Sequence, residues 1–168
     1  RQACCFVALI GFFDDLFDVY YVEKFALQIF AGIILIQSDV YVNNFHGIFG
    51  IYEISELTAY IVSLFVFLVI TNSLNLIDGI DGLTGLISSK FFIAVSVIIF
   101  FTDSSLYSFS VNRESMLAYS LTLIGSLSGF LIFNYSSEKK VFLGDLGSLL
   151  IGSVITCLLY TSDAADES

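Results

Sequence analysis

The sequence predicts an all-α fold, a polytopic bundle of transmembrane helices, and three observations support this prediction. Hydrophobic residues make up 57% of the 168 residues, aromatic residues make up 16%, and the mean hydropathy is +0.92. The apolar residues form long uncharged runs along the whole chain, and proline, which would interrupt a helix, is absent. We therefore expect a fragment of about five to six membrane spans, in preference to a very hydrophobic soluble bundle.

Four uncharged runs are candidates for these spans. They are residues 25–37 (extendable to 42), 57–77, 91–102 and 116–133. A bilayer core of about 30 Å requires about 20 helical residues. The second and fourth runs meet this length, whereas the first and third require polar flanking side chains that reach the interface. A further apolar span is expected to begin at the Gly-Asp pair near residue 145.

The loop at residues 38–56 has a different pattern from the spans that flank it. Its first part alternates apolar and polar residues, and it contains Asn-Asn and His-Gly pairs that favour turns. A small extracytoplasmic β-hairpin is therefore predicted in this loop. His46, the one histidine of the chain, is expected to be a hairpin or surface residue and not a ligand.

The loop charges predict the orientation of the chain. If each run crosses the membrane, the loops at residues 14–24, 72–90 and 134–145 share one side, and all four lysines lie in them. Arg113 lies on the opposite side. Positive charge near span ends favours the cytoplasm. Acidic residues of three separate loops are therefore expected on one cytoplasmic face, and ionisable groups at membrane depth usually mark function.

The first acidic motif is GFFDDLFDV at residues 11–19. Asp14 and Asp15 are adjacent and have no basic neighbour, so their charges repel each other unless a cation neutralises them. Mg²⁺ takes oxygen ligands, often one or two carboxylates together with substrate phosphates. The alternative is that these residues and Asp18 form a solvated helix end.

The second motif is NSLNLIDGIDGLTG at residues 72–85. Asn72, Asn75 and Asp78 have i, i+3, i+6 spacing, which Asp81 continues, and in a helix this spacing gives a polar stripe. The motif's glycines would let its backbone approach a bulky anionic ligand closely. The alternative is a pair of Asp-Gly turns, but turns do not require two asparagines in register before them. A binding site is therefore favoured.

The third motif is KVFLGDLGSLLIG at residues 140–152. Asp145 lies in the first turn of the expected span, at the positive end of the helix dipole. Ser148 could cap that helix. Taken by itself, this motif leaves Asp145 as either a helix cap or a ligand-binding residue.

Together and in this order, the three motifs resemble those of the polyprenyl-phosphate N-acetylhexosamine-1-phosphate transferases, glycosyltransferase family 4, over residues 11–156. The resemblance implies a multi-pass enzyme of the bacterial cytoplasmic membrane whose site faces the cytoplasm. It implies that polyprenyl (undecaprenyl) phosphate attacks the β-phosphate of a UDP-N-acetylhexosamine with Mg²⁺ (or Mn²⁺), and that UMP is released. A homodimer is predicted, and no nucleic-acid partner.

The resemblance also assigns roles to individual residues. It implies three catalytic residues, two metal ligands and six substrate-binding residues. The catalytic residues are Asp14, Asp78 and Asp81; the metal ligands are Asp15 and Asp145; the substrate-binding residues are Lys24, Asn72, Asn75, Gly79, Gly82 and Asn134.

The branch within the family is predicted from fewer residues. Ile77 stands where the muramoyl-pentapeptide branch typically has Thr, and residues 49–55 (FGIYEIS) look more like the branch that transfers N-acetylglucosamine-1-phosphate to start teichoic acid, O-antigen lipopolysaccharide or other cell-envelope polysaccharides. That branch is preferred, with phospho-N-acetylmuramoyl-pentapeptide transfer as the alternative. Leu16 and Val22 depart from basic positions of many relatives, and the proline that many have before the Gly-Asp motif is missing.

Three other function classes stay open at this point. They are an ion or solute transporter with an acidic path, a CDP-alcohol type phosphotransferase, and a non-catalytic membrane scaffold. Residues 1–156 are expected to be a partial membrane transferase domain, so this chain alone is expected to be inactive. Residues 157–168 change abruptly to small polar residues and resemble a translated sequencing adapter, and we exclude them from functional reasoning.

Overall fold

The computed structural model confirms the all-α prediction. It describes residues 7, 9, 11, 12, 20–38, 40–42, 44, 45, 47, 50, 52, 54–101, 113–138 and 140–163. Within this part the helices are α1 (Tyr21–Ile36), α2 (Glu56–Ile77), α3 (Leu83–Phe101), α4 (Arg113–Asn134) and α5 (Gly144–Asp163). Val7, Leu9, Gly11 and Phe12 are also helical.

The helices agree with the predicted runs, apart from the start of α3. α2 and α4, each of 22 residues, cover the two long runs. α3 begins at Leu83 and not at residue 91. The predicted loop was too long there because the uncharged run was counted from the residue after Lys90, yet Lys90 lies within α3, and Thr84, Ser88 and Ser89 before it are buried. Small polar residues of this kind are common where membrane helices pack closely.

Three of the described helices, α2, α3 and α4, are long and apolar enough to cross a membrane. The apolar part of α5, Gly144–Tyr160, is shorter, and α1 has 16 residues. Several large side chains on the bundle exterior are exposed, among them Phe65, Phe100 and Phe101 at 66%, 67% and 80%. An apolar exterior of this extent fits lipid and not water, which disfavours the soluble bundle.

The described part of the 38–56 loop forms no strand. The Phe45 N–H donates to the Tyr52 carbonyl at 2.9 Å, so the loop closes on itself at that point. The Val42 N–H donates to Ser63 Oγ of α2 at 2.9 Å, which fixes the loop to the bundle. His46 lies outside the described residues.

α2 is the central helix, in contact with α1, α3 and α5, and α3 and α4 pack along each other most extensively. One core cluster joins α1, α2 and α5 with the N-terminal helical residues. A second joins α2, α3, α4 and α5. The first contains Val7, Ala31, Leu35, Phe67 and Leu149; the second contains Leu74, Phe92, Leu127, Ile151 and Ile155. The packing therefore aligns the end of α2 with the start of α5.

Helix α5 continues into the segment predicted to be adapter-derived, as far as Asp163. Tyr160 is buried, and its hydroxyl donates to the Ser63 carbonyl of α2 at 2.6 Å. The predicted division into a transferase domain (residues 1–156) and an adapter-derived tail (residues 157–168) concerns where the tail sequence comes from, and it stays a prediction.

Candidate functional site

Three helices meet around one carboxylate at the end of the bundle where α2 ends and α5 begins. Lys24 Nζ of α1 lies 2.8 Å from Asp145 Oδ2 of α5. The Asn75 amide of α2 donates to Asp145 Oδ1 and, at 3.0 Å, to Ser148 Oγ. The side chains of Lys24 and Asp145 are 15% and 30% exposed. Asp145 is thus oriented by donors from two other helices and is still accessible from outside.

The start of α5 explains how Asp145 reaches this position. Gly144 has φ +71°, a conformation that side chains disfavour. Asp145 follows in the first turn, at the positive dipole end of the helix. The Ser148 hydroxyl donates to the Gly144 carbonyl at 2.9 Å, within the helix. Ser148 is therefore a bridge between Asn75 and α5, and the suggested helix-capping role is wrong.

The turn between α2 and α3 lies against the same end of α5. The Gly144 N–H donates to Asp78 Oδ2 at 3.0 Å. Asp81 forms an ion pair with Lys140, which precedes α5. The residues of these two pairs are about 60 positions apart in the sequence. The second and third acidic motifs therefore form one structural unit.

The glycines of this turn have different surroundings. Gly82 has φ +70°, and a Cβ there would lie 2.3 Å from the Tyr135 hydroxyl oxygen. The space that the sequence predicted for a ligand beside Gly82 is therefore taken by Tyr135. Gly79 is exposed, and a Cβ there would meet only the Leu76 carbonyl oxygen at 3.9 Å. Open space for a ligand thus remains beside Gly79.

Asn72 belongs to the predicted polar stripe but contacts a different helix from Asn75. Its amide donates to Gln28 Oε1 of α1 at 2.7 Å and to the Leu68 carbonyl at 2.8 Å. Each step of three residues falls about 60° short of a full helical turn. The stripe therefore winds around α2, so that Asn72 faces α1 while Asn75 and Asp78 face α5.

Asn134 ends α4 and holds the loop that follows. Its amide donates to the Val141 carbonyl at 2.7 Å, and its buried Oδ1 has no hydrogen-bond partner. The structure thus gives Asn134 a loop-closing contact. Its predicted role in substrate binding stays a prediction.

Asp14, Asp15 and Asp18 of the first acidic motif lie outside the described residues. Gly11, the first residue of the motif, is described and buried: a Cβ on Gly11 would lie 2.4 Å from Leu146 Cα and 2.8 Å from the Asp145 carbonyl oxygen. The backbone at Gly11 is therefore in close contact with the start of α5. Among the described residues, no three His, Cys, Asp or Glu side chains are grouped closely enough to hold a metal ion.

Three residues of the site were not singled out from the sequence. Gln28 is fully buried beside Asn72, Tyr135 covers Gly82, and Lys140 pairs with Asp81. Gln28 could have been found as an amide one turn after Lys24 within an apolar run, since i, i+4 residues share a helix face. No sequence signal distinguishes Lys140 from the neighbouring Lys139.

Comparison with known proteins gives the family. Curated relatives include phospho-N-acetylmuramoyl-pentapeptide-transferases of Latilactobacillus sakei subsp. sakei (strain 23K), 36% identical over 66 residues, and Streptococcus mutans serotype c, 31% identical over 68 residues. These alignments cover 39% and 40% of this chain and 20% of each relative, so the chain spans about a fifth of their length. The family model described as "Glycosyl transferase family 4" matches residues 2–163, nearly the whole sequence, and the chain therefore belongs to glycosyl transferase family 4.

Proposed function

We propose that the protein transfers a phospho-sugar from a UDP-linked donor to polyprenyl phosphate at the membrane surface. The observation that carries this proposal is the junction of Lys24, Asn75 and Asp145, joined through Gly144 to Asp78. It puts an oriented carboxylate and an ammonium group at the ends of apolar helices, where a lipid phosphate meets a water-soluble donor. Membership of the family gives the reaction class.

The proposed reaction is a substitution at phosphorus. An oxygen of polyprenyl phosphate forms a bond to the β-phosphorus of the donor, and the bond from that phosphorus to the bridging oxygen breaks. UMP leaves with the bonding electrons, and a lipid diphosphate-sugar remains. Both reactants are anionic, so the site must reduce their repulsion and hold them in line.

The described residues suit this task. The Lys24 ammonium can bind a phosphate oxygen. Before a substrate binds, the ion pair with Asp145 holds the ammonium group in position. The Asn75 amide fixes the orientation of the Asp145 carboxylate. Asp78 holds the start of α5 through the Gly144 N–H. These carboxylates lie at helix ends, whereas a transporter path would have them within the spans.

Magnesium binding is part of the proposal. Asp145 and the Asp14–Asp15 pair would hold the ion, since hard carboxylate oxygens are the ligands that Mg²⁺ prefers. Gly11 lies three residues before Asp14 in the sequence, and its backbone is in close contact with the backbone at Asp145. This contact supports Asp14, Asp15 and Asp145 as the ligands of one ion. The ion would neutralise phosphate charge during transfer.

For the donor, we propose UDP-N-acetylmuramoyl-pentapeptide. The similar curated proteins are named phospho-N-acetylmuramoyl-pentapeptide-transferases, and they favour this donor over the UDP-N-acetylglucosamine predicted from Ile77 and residues 49–55. The N-acetylglucosamine donor is the second candidate, supported by those residues alone.

The location follows from the same proposal. The chain is a multi-pass membrane protein of this family. We propose that the site end faces the cytoplasm, because the lysines cluster there and nucleotide-linked sugars are cytoplasmic. Assembly as a homodimer stays a prediction.

UMP release tests the function. The protein expressed from its complete gene is assayed in detergent with polyprenyl phosphate, Mg²⁺ and each UDP-linked donor in turn. We expect UMP release that requires the lipid phosphate. We expect it to be at least about tenfold faster with UDP-N-acetylmuramoyl-pentapeptide than with UDP-N-acetylglucosamine, because contacts specific to the first donor and worth about 1.4 kcal/mol give a tenfold difference. Release with UDP-N-acetylglucosamine alone would reverse the donor assignment, and no release with either donor would refute the transferase.

A further inference from the structure

The loop between α4 and α5, residues 135–143, is fastened to the turn between α2 and α3. Tyr135 lies against Gly82 at one end of the loop. Lys140 pairs with Asp81 near the other end, and Gly144, just past the loop, donates to Asp78. Asp78 and Asp81 lie at the two sides of one short turn, so that turn holds the segment leading into α5 at two points.

The two fastenings differ in exposure. The Gly144–Asp78 hydrogen bond is partly buried. The side chains of Lys140 and Asp81 are 40% and 50% exposed. An exposed ion pair contributes little to folding stability. Loss of the Lys140–Asp81 contact should therefore leave the bundle folded and change only how the loop is held.

The position of Lys140 gives this contact a consequence for Asp145. Lys140 precedes Asp145 by five residues in the sequence, so the segment fixed by the ion pair leads directly into the first turn of α5. With the pair broken, the Lys140 side of the segment is released, and the segment is held by the Asn134–Val141 and Gly144–Asp78 hydrogen bonds. The Asp145 carboxylate would then lose its fixed direction relative to Asn75 and Lys24.

We propose that Lys140 is a positioning residue: its ion pair with Asp81 fixes the 135–143 loop across the Asp78–Gly82 turn and so sets the direction of Asp145. This inference rests on the proposed function. It also gives Asp81, predicted to be catalytic, the role of anchor for Lys140. Lys140 itself does not contact the substrates.

Kinetics of the protein expressed from its complete gene test this inference. In Lys140→Gln, kcat should fall about 10- to 100-fold, the effect of misplacing a catalytic group by about 1 Å, while the KM of the UDP-linked donor stays within about twofold, since donor contacts are unchanged. Lys140→Arg should keep most of the activity. The exchange Asp81→Lys with Lys140→Asp should recover at least about tenfold over either single variant.

Lys90→Gln is the matched control, because Lys90 is an exposed lysine of α3 and its replacement removes the same charge. It should keep wild-type kcat and KM. Wild-type kcat in Lys140→Gln would overturn the inference. So would failure of the exchange to recover activity while the thermal unfolding temperature is unchanged, since that result makes Asp81 itself catalytic.

Cross-linking gives a readout that does not need activity. Asp81→Cys with Lys140→Cys, in a background without other cysteines, should cross-link with a short bismaleimide, whereas Asp81→Cys with Lys90→Cys should not. Absence of the cross-link in an active protein would overturn the inference alone. A wild-type protein without transfer activity would overturn the proposed function, and the positioning role of Lys140 with it.

Discussion

At the scale of single residues, Asn75 carries more of the site than its sequence position suggests. One amide group bonds both Asp145 and Ser148, so it links α2 to the first turn of α5. The sequence predicted Asn75, because amides in helical register with Asp78 are unusual at the end of an apolar run. It could not predict that Asn72 would face α1, because only the tertiary packing of α1 on α2 decides that.

Asn75→Ala should lower the transfer rate about 10- to 100-fold, which is typical for residues that orient a metal ligand, the role proposed for Asp145. The reason is that Asp145 loses the donor that fixes its direction, while Lys24 still balances its charge. Initial rates of UMP release by the protein from the complete gene measure this effect. Ser73→Ala on the exposed face of α2 is the control and should keep the wild-type rate. An Asn75→Ala rate within twofold of wild type would show that the amide has no part in the site.

At the scale of helices, uncharged runs predicted where helices lie and failed where a charged residue lies within a helix. α2 and α4 were predicted to within three residues because both are uncharged beyond their first turn. The start of α3 was missed because Lys90 interrupts the uncharged run, and composition does not reveal that Thr84, Ser88 and Ser89 before it are buried. Relative helix positions depend on close approach: a Cβ on Gly152 of α5 would lie 2.8 Å from Thr71 Cα of α2.

Gly152→Ala should therefore destabilise the bundle by about 1–3 kcal/mol, the usual cost of overpacking a core. The added methyl group would push α5 away from α2, and the separation would also reach Asn75 and Asp145. Thermal unfolding in detergent gives the stability. Gly129→Ala on α4 is the matched control, since no other atom lies within 4 Å of a Cβ there. Equal unfolding temperatures for the two variants would mean that α2 and α5 are not in close contact.

At the scale of the whole molecule, polarity is distributed as a membrane bundle requires. Large apolar side chains cover the exterior, whereas Ser63, Thr71 and Thr156 are buried between helices. The described site residues lie together where α2 ends and α5 begins, whereas Arg113 lies at the start of α4, where it donates to the Ile99 and Phe100 carbonyls near the end of α3. Composition predicted this arrangement in outline. The joining of the second and third motifs required the structure, because it depends on contacts between loops far apart in sequence.

Cysteine labelling tests the proposed orientation. In a background without other cysteines, Ser137→Cys in the site loop should be protected from a membrane-impermeant maleimide in intact cells, and it should react after the membrane is permeabilised. Tyr52→Cys, an exposed position on the opposite loop, is the control and should react in intact cells. The reverse pattern would place the site outside the cytoplasm and would contradict the proposed use of a cytoplasmic donor.

The most direct test of a phospho-sugar transfer that depends on Asp145 follows the β-phosphate of the donor. With a UDP-linked donor labelled at that phosphorus, the protein expressed from its complete gene should move the label into the lipid phase. Asp145→Asn, which keeps the size of the side chain and removes its charge, should lower that transfer about 100-fold or more. Label that stays in the aqueous phase with the wild-type protein, or enters the lipid phase equally well with Asp145→Asn, would contradict the proposed chemistry.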